Sequence, residues 1–389
     1  MRPRQNAPAR HERVAEAGDA RLVRTDFDAL PGWAADDHAA ALVALRRTAI
    51  HVNRNGPHRT ASLLEACALT GADFVPAFRD ALATPDHNAR AFFERWFDPF
   101  QVEGSALGGA DGRGLVTGFY EPTIAAAPTQ SDDYPFPIHA PPPDLCKAGA
   151  LPHAPDLPRD HAWGIARDGQ LHEAPDRAAV EEGALARQAP YRDWPVIAWA
   201  ADRIDLYFAH IQGAARLAMP DGSVRRITYA AKSGHPFTPI GALLRERGEL
   251  ASDDVSMATI RRWLRKHPDR ADALMRENRS YIFFKEAPVS DPSLGPVAAA
   301  RVPLQPGRSL AVDRRLHSFG TPIFVSAPAL EWDDAPFERL MIAQETGSAI
   351  IGAARGDIFT GSGAEAGERA GSIATPAQFV ALLPRAQRA

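Results

Sequence analysis

The sequence predicts a mainly β protein of barrel architecture with added helices. Its central part and its last hundred residues contain many short strand-like segments, and these do not alternate with helices as a doubly wound sheet requires. Proline and glycine, with 34 and 29 residues, predict many turns and speak against a protein of long helices. The length of 389 residues suits two or three domains, or one domain with a large insertion.

The charge and the cysteine content of the chain speak against several classes of function. With 44 basic and 48 acidic residues, the net charge of −4 offers no general positive field for a polyphosphate, so nucleic acid is not an expected partner. We expect Cys67 and Cys146 to be free thiols, and no Cys/His spacing predicts a zinc site. No apolar run predicts a membrane span, a secretory signal is not visible, and no early cysteine could accept a lipid.

The N-terminal quarter reads as helical. Residues 1–24 are polar, and we expect them to be frayed. Within residues 25–115, the pattern predicts a helix capped by Asp36 or Asp37, a second helix at 62–70, and a third that begins at Thr84. The third helix carries four large aromatic residues between 92 and 97, which we interpret as core and not as a platform for sugars.

The remaining segments are shorter. The sequence predicts strands at residues 114–120, 134–138, 195–199, 206–211, 225–230, 280–285, 298–303, 322–325 and 339–343. The proline-rich residues 139–160 predict an extended loop. Helices are expected from Thr238, from about Ser252 to Pro268, and from Thr375 to the end of the chain.

A glycine-rich segment at residues 343–371 carries the candidate chemistry. Glycine at this density allows tight turns and close approach of other groups to the backbone, but the segment lacks the Gly-Lys-Ser/Thr of a phosphate loop. Glu345 lies near one end, and Asp357 stands between Gly356 and the apolar Ile358. From the pattern alone, Asp357 is as well explained by a turn or a helix cap as by catalysis.

Several motifs occur in a fixed order along the chain. They are Gly-Phe-Tyr-Glu-Pro at 118–122, Tyr-Pro-Phe-Pro-Ile at 134–138, Ile-Gln-Gly at 211–213 and Tyr-Ala-Ala-Lys-Ser-Gly-His at 229–235. Together with the glycine-rich segment, they resemble the membrane-bound lytic murein transglycosylase A family, from about Leu30 to the C-terminus. The last part resembles the family's three-aspartate domain: Asp313 matches the first aspartate, Asp357 matches the third, and Glu345 stands where the second is usually found.

The resemblance implies a fold and a domain organisation. Residues 25–115 and 288–389 are expected to build one double-psi β-barrel domain from both ends of the chain. Residues 116–287 are expected to form a smaller, inserted β-rich domain, with a groove between the two domains for a glycan strand.

The resemblance also implies an activity. The family cleaves the β-1,4 bond between N-acetylmuramic acid and N-acetylglucosamine of peptidoglycan, and the muramic C6 hydroxyl closes a 1,6-anhydro ring. Asp357 matches the catalytic residue, which acts first as an acid and then as a base, and Glu345 and Asp313 match supporting carboxylates. Such an acid needs a raised pKa, which we expect from burial beside Ile358 and from the like charge of the other two carboxylates.

Seven further residues match positions where a glycan could bind, and each also has an ordinary structural explanation as a strand or turn residue: Tyr120, Gln212, Gly213, Tyr229, Lys232, Ser233 and Gly234. We expect His235 to be a hydrogen-bonding loop residue and not a base. Neither a metal ion nor an organic cofactor is expected, because acid catalysis at an acetal needs none.

Two other functions remain open at this stage. The first is an inverting two-carboxylate hydrolase in which Glu345 or Asp313 activates water. The second is a catalytically silent glycan-binding module on the same barrel. The resemblance further implies a murein glycan strand as substrate, a monomer, and a periplasmic location with possible attachment to the outer membrane.

Overall fold

The computed structural model describes residues 14–104, 114–151, 157–158, 161–184, 195–251 and 255–385. Contacts between Cα atoms divide the chain into two compact units. The first, called here the barrel unit, comprises the described parts of Met1–Gly118, Ala298–Phe359 and Ile373–Ala389. The second, called the insert unit, comprises the described parts of Phe119–Val297 together with Thr360–Ser372. The domain boundaries expected at 116 and 287 stay a prediction.

The strands of the described residues are β1 Val14–Ala17, β2 Ala20–Arg24, β3 Phe97–Glu103, β4 Gly114–Glu121, β5 Thr123–Ala127, β6 Phe136–His139, β7 Leu145–Lys147, β8 Trp163–Arg167, β9 Gln170–His172, β10 Val196–Ala200, β11 Ala214–Ala218, β12 Val224–Lys232, β13 Ile282–Ala287, β14 Ser309–Val312, β15 Pro322–Trp332, β16 Ala335–Glu345, β17 Arg355–Ser362 and β18 Ala374–Pro384.

The α-helices of the same residues are α1 His38–Asn55, α2 Ser62–Ala66, α3 Val75–Ala83, α4 Ala89–Trp96, α5 Arg177–Glu181, α6 Arg203–Gln212, α7 Ile240–Glu246, α8 Met257–Lys266, α9 Pro268–Glu277 and α10 Ala364–Ser372. Asp37 caps α1, since its side chain accepts a hydrogen bond from the Ala40 N–H.

The barrel unit contains a closed barrel of six strands. They follow the order β18, β15, β16, β14, β17 and β4, and β4 pairs with β18 to close the ring. β14 and β16 run parallel, whereas β14 and β17, β15 and β16, and β15 and β18 are antiparallel pairs. The predicted mainly β barrel with added helices is therefore confirmed.

The core of the barrel unit joins the two ends of the chain. α1 buries Leu42, Leu45 and Ala49 in the same apolar cluster as the strands β15 and β16. A buried ion pair adds to this contact, because Arg308 Nη2 and Nη1 donate to the Asp36 carboxylate at 2.9 and 3.0 Å. Asp36 also accepts from the Leu340 N–H at 2.7 Å, so its charge is satisfied on both oxygens.

The insert unit consists of two sheets and six helices among the described residues. The larger sheet has the strand order β13, β12, β11, β5, β10 and β6, and the smaller has the order β7, β8 and β9. Glu121 is a fully buried charge of this unit, and its carboxylate accepts hydrogen bonds from Arg226 Nε at 2.6 Å, Arg216 Nε at 2.9 Å and Ser362 Oγ at 2.7 Å. These bonds hold residue 362, just before α10, against the strand that carries Glu121.

Several sequence-based assignments are wrong. Residues 206–211 belong to helix α6, and the segment after Thr375 is strand β18. Residues 298–303 form turns, and residues 14–24 form the hairpin of β1 and β2 and are not frayed. Residues 1–13 lie outside the described part. Within the expected loop 139–160, the described residues include strand β7. Cys67 and Cys146 are partly buried thiols and do not form a disulfide with each other, as predicted.

Candidate active site

Asp357 is the third residue of β17 and pairs with Ala311 of β14. The two residues that follow, Ile358 and Phe359, are completely buried, whereas the Asp357 side chain keeps partial contact with solvent. The carboxyl group therefore has apolar neighbours and yet remains accessible to a substrate.

Two side chains hold Asp357 in place. The Thr117 hydroxyl donates a hydrogen bond to Asp357 Oδ1. Arg355 Nη2 donates to the same hydroxyl oxygen at 2.8 Å, and the Arg355 side chain is buried. Because the guanidinium occupies a lone pair of the hydroxyl, the Thr117 proton is directed at the carboxyl group.

The pKa of Asp357 is raised above its ordinary value. Burial is the main cause, and the Thr117 hydrogen bond and the positive charge of Arg355 act in the opposite direction without cancelling it. The cost of desolvating the carboxylate thus exceeds the benefit of both neighbours. A contribution from the like charges of Glu345 and Asp313 stays a prediction.

Glu345 is the last residue of β16 and is also level with Ala311. Its carboxyl group accepts a hydrogen bond from the Thr346 N–H at 2.8 Å and from the Ala299 N–H at 3.2 Å. Burial raises the pKa of Glu345 to about 7, although both backbone bonds favour the charged form. Glu345 is therefore a second carboxyl group of this unit with a raised pKa.

Asp313 follows β14 directly and is buried. It accepts hydrogen bonds from Arg315 Nη2 at 2.7 Å, from Arg315 Nε and its backbone N–H at 3.0 Å, and from the Gly352 N–H at 3.2 Å. Burial raises the pKa of Asp313, but these donors outweigh it and leave the pKa below its usual value. An aspartate held ionised in this way suits the positioning of the loop before β17 better than proton donation.

Strand β14 relates the backbone positions of the three acids in the barrel unit. Ala311 pairs with Glu345 on one side and with Asp357 on the other, and Asp313 is two residues further along the same strand direction. Neighbouring strands lie about 4.8 Å apart, so the Cα atoms of Glu345 and Asp357 are on the order of 10 Å apart. The structure thus places the three acids that the sequence singled out on, or directly after, neighbouring strands of the barrel.

Of the seven predicted glycan-binding residues, four are linked by hydrogen bonds in the insert unit. Gln212 Oε1 accepts from the Tyr120 N–H at 3.3 Å, and the carbonyl of the next residue, Gly213, accepts from the Tyr229 N–H at 2.7 Å. The Tyr120 ring is buried against Ala366 and Ala370 of α10. The Tyr229 side chain, in contrast, is 41% exposed and offers an aromatic surface to solvent.

The other three follow one another along the chain and differ in exposure. Lys232 is partly buried, and burial lowers the pKa of its ammonium group. Ser233 is fully buried, and its Oγ accepts from the Tyr281 N–H at 3.1 Å. Gly234 has φ +99°, and a Cβ atom there would lie 2.2 Å from the Trp163 carbonyl oxygen. Ser233 and Gly234 therefore have packing reasons for their identity. Tyr229 and the partly buried Lys232 and Gln212 remain the accessible candidates.

Sequence reasoning missed Thr117, which donates a hydrogen bond to Asp357, and Arg355, which donates to Thr117. Arg355 is two positions from Asp357, but Thr117 is 240 positions away and comes near only because the barrel closes. A threonine inside an ordinary strand pattern carries no chemical signal. The alternation of β17, which places residues 355 and 357 on the same face, was the one signal that could have identified Arg355.

Comparison with known proteins assigns the family. The family model of the MltA specific insert domain matches residues 115–285, and that of the 3D domain matches residues 308–383. Among curated proteins, membrane-bound lytic murein transglycosylase A of Escherichia coli K12 is 33% identical over 281 residues, which is 70% of this chain and 67% of that protein.

Solved structures show the same relationship. The crystal structure of membrane-bound lytic murein transglycosylase from Agrobacterium tumefaciens has a TM-score of 0.83 and 44% identity, over 93% of this chain and 97% of that chain. E. coli MltA with bound chitohexaose has a TM-score of 0.62 and 26% identity, over 89% of this chain and 90% of that one. Among the described residues, no helix has both the length and the apolar character needed to span a membrane. The chain belongs to the membrane-bound lytic murein transglycosylase A family and is a lytic transglycosylase, a lyase that acts on peptidoglycan.

Proposed function

We propose that this chain cleaves the β-1,4 bond between N-acetylmuramic acid and N-acetylglucosamine with Asp357 as its single acid and base. The observation that carries the proposal is the state of the Asp357 carboxyl group, which is partly accessible and has a raised pKa. A carboxylic acid must be protonated before it can donate to a leaving oxygen, and a raised pKa increases that fraction near neutral pH.

The reaction then needs two proton transfers. In the first, protonated Asp357 donates to the glycosidic oxygen, and the bond from that oxygen to C1 of the muramic acid breaks. In the second, the C6 hydroxyl of the same sugar attacks C1, and its proton returns to the Asp357 carboxylate. The products are an N-acetylglucosamine 4-hydroxyl and a 1,6-anhydro ring, and the carboxyl group ends in its starting state.

Thr117 and Arg355 act on the intermediate carboxylate. The Thr117 hydroxyl donates to Oδ1, so Oδ2 is the oxygen that carries the mobile proton. The same hydrogen bond stabilises the negative charge that appears after donation, and the buried Arg355 guanidinium adds a positive charge behind Thr117. The two neighbours thus keep the pKa from rising so far that the acid could no longer release its proton.

One carboxyl group suffices because the nucleophile belongs to the substrate. Ordinary glycosidases pair a carboxylic acid with a second carboxylate that acts as a nucleophile or activates water. An internal hydroxyl has a high effective concentration, which in model reactions reaches about 10⁵ M or more. The ion-paired Asp313 and the backbone-bonded Glu345 are therefore not needed as nucleophiles, and we assign them supporting roles.

We further propose that the insert unit binds the glycan. A relative of 26% identity has been crystallised with bound chitohexaose, an oligosaccharide of N-acetylglucosamine. The exposed Tyr229 ring could stack on a sugar face, Lys232 could meet a lactyl or peptide carboxylate, and the Gln212 amide could contact an N-acetyl group. The binding roles of Tyr120, Gly213, Ser233 and Gly234 are indirect in this proposal, through the shape of the backbone.

The relatives are named membrane-bound, which supports a place in the cell envelope. We propose that the enzyme acts in the periplasm, with outer-membrane association, and that it acts as a monomer. Murein lies outside the inner membrane, so an enzyme with this substrate must reach that compartment.

The fate of the oxygen at C1 tests the reaction. Purified murein is digested in ¹⁸O-labelled water, and the muropeptides are analysed by mass spectrometry. Ring closure by the C6 hydroxyl gives anhydro ends without ¹⁸O. Hydrolysis, including an inverting reaction with Glu345 or Asp313 as base, would give reducing ends that each carry one ¹⁸O. The Asp357→Asn variant, purified in parallel, shows whether any product comes from a contaminating enzyme.

A further inference from the structure

Three side chains of the insert unit converge outside the candidate active site. His161 Nε2 lies 3.1 Å from His235 Nδ1, and Glu173 Oε1 lies 3.4 Å from each of these nitrogen atoms. His161 and His235 are buried, whereas the Glu173 side chain is 38% exposed. The three potential ligand atoms therefore form a nearly equilateral triangle with one side open to solvent.

The size of this triangle matches a tetrahedral metal site. Zinc binds histidine nitrogen and carboxylate oxygen at about 2.0–2.1 Å, which places neighbouring ligand atoms of a tetrahedron about 3.3 Å apart. The observed separations of 3.1, 3.4 and 3.4 Å agree with that value. Two histidines and one glutamate are also a donor set that suits zinc, with a fourth position left for a solvent molecule.

A backbone contact fixes the orientation of the His235 ring. His235 Nε2 lies 2.7 Å from the Ala174 carbonyl oxygen, which can only accept, so Nε2 carries a proton and donates it. Nδ1 is then unprotonated in the neutral ring, and its lone pair is directed at His161 and Glu173. Metal-binding histidines typically donate their second ring N–H to a carbonyl or carboxylate in this way.

The local fold brings the cluster together from three segments. His161 comes shortly before β8, Glu173 follows β9 directly, and His235 follows the end of β12. Gly234 is close to the backbone of Trp163, where any side chain would collide with the Trp163 carbonyl oxygen. This close approach places His235, which follows Gly234, beside His161, which precedes Trp163. The sequence did not predict this site, because the three residues are far apart along the chain and do not form a metal-binding motif.

The charges around the cluster favour a cation. Arg279 Nη2 lies 3.3 Å from Glu173 Oε1, but its Nε is paired with Asp176 at 3.0 Å. These two carboxylates and one guanidinium leave a net charge of about −1 beside the two imidazole rings. The nearby arginine therefore weakens the attraction for a divalent ion without reversing it.

We propose that His161 Nε2, Glu173 Oε1 and His235 Nδ1 bind one zinc ion, which clips the hairpin of β8 and β9 to the end of β12. Binding requires the His161 ring proton to move from Nε2 to Nδ1, by exchange with solvent, so that the Nε2 lone pair of the neutral ring faces the ion. The ion takes no part in glycosidic bond cleavage, and the site is independent of the proposed function of Asp357. Its effect is to fix the segment that carries Lys232, Ser233 and Gly234.

The test is zinc binding by the full-length chain without a histidine tag. The protein is freed of metal with a chelator and titrated with Zn²⁺ in competition with a chromophoric chelator. We expect one tight equivalent per chain. Glu173→Gln replaces an exposed side chain with one of the same shape, and its affinity for zinc should fall about tenfold or more. Even mutation of residues that only hydrogen-bond to metal ligands lowers metal affinity by about that factor. The matched control, His87→Gln, removes an exposed histidine of the barrel unit and should bind zinc like the wild type.

Cobalt supplies a second readout that does not depend on stability. A Co²⁺ ion at four ligands with tetrahedral geometry absorbs visible light strongly, and we expect these bands in the wild type and in His87→Gln, with altered bands in Glu173→Gln. The proposal is overturned if the wild type takes up no stoichiometric zinc. It is also overturned if Glu173→Gln binds zinc and cobalt as the wild type does.

Discussion

Glu345 makes the barrel unit less stable as the pH rises, and Glu345→Gln should remove this effect. The pKa of Glu345 is raised from 4.5 to about 7, chiefly by burial. Between these two values the folded protein binds more protons than the unfolded chain, so the free energy of unfolding falls as the pH rises through this window. Below this pH window, the carboxyl group is neutral in the folded and in the unfolded state, so it does not lower the free energy of unfolding.

A rise of this size corresponds to about 3 kcal/mol. Because the side chain keeps partial contact with solvent, we expect screening to reduce the effect to about 1–3 kcal/mol. Glutamine is neutral at every pH, and its amide oxygen can still accept from the N–H groups of Thr346 and Ala299. The variant should therefore match the wild type near pH 4 and exceed it in stability by that amount near pH 8.

Urea denaturation at a series of pH values measures the free energy of unfolding of the variant and of the wild type. The contributions of the other titrating groups cancel in the difference between the two. The matched control is Glu65→Gln, at an exposed glutamate of the same unit. A stability difference between Glu345→Gln and the wild type that stays constant from about pH 4 to about pH 8 would refute the reasoning.

Two further changes have defined outcomes. Thr117→Val removes the hydroxyl that stabilises the Asp357 carboxylate, so the pKa of Asp357 should rise further and the alkaline limb of the pH–activity profile should move to higher pH; Thr117→Ser should keep the wild-type profile. Glu121→Ala leaves the guanidinium groups of Arg216 and Arg226 without their carboxylate, which should cost about 3–5 kcal/mol and lower the melting temperature in calorimetry; an unchanged melting temperature would contradict this role.

The helix and strand assignments show what the sequence alone could establish. Strands such as β4 and β12 were predicted because β-branched and aromatic residues stand between clear turn signals. β18 was mistaken for a helix because residues 379–383 are all buried, so the alternation of an exposed strand is missing. β3, β15 and β4 pair with its edges, and the side chains of residues 379–383 all lie in the core cluster of the barrel unit. This tertiary environment cannot be seen in the local sequence.

The error at α6 has a different cause. The run from Leu206 to Ile211 is apolar and aromatic, which suggested a strand, yet the signals for both helix ends were present. Asp202 caps the helix by accepting from the Asp205 N–H at 2.8 Å, and Gly213 ends it with φ +74°. Giving these two end signals more weight than the composition of the interior would have identified the helix.

The site itself was predicted only in part. The resemblance named the three carboxyl groups and assigned catalysis to Asp357, but the sequence could not show that Asp313 is ion-paired and that Asp357 is desolvated. That distinction depends on Arg315 and Gly352 near one group and on buried neighbours around the other. Burial and hydrogen bonding set a pKa, and both arise from contacts between distant parts of the chain.

Turnover of Asp357→Asn, measured beside that of Glu345→Gln, tests most directly whether one carboxyl group performs both proton transfers. Release of anhydromuropeptides from purified murein is followed by chromatography, and sedimentation with insoluble murein reports binding. We expect Asp357→Asn to bind murein but to lose activity by a factor of about 10²–10⁴, while Glu345→Gln keeps most of its turnover. Wild-type turnover in Asp357→Asn, or an equal loss in Glu345→Gln, would contradict the assignment of the chemistry to Asp357.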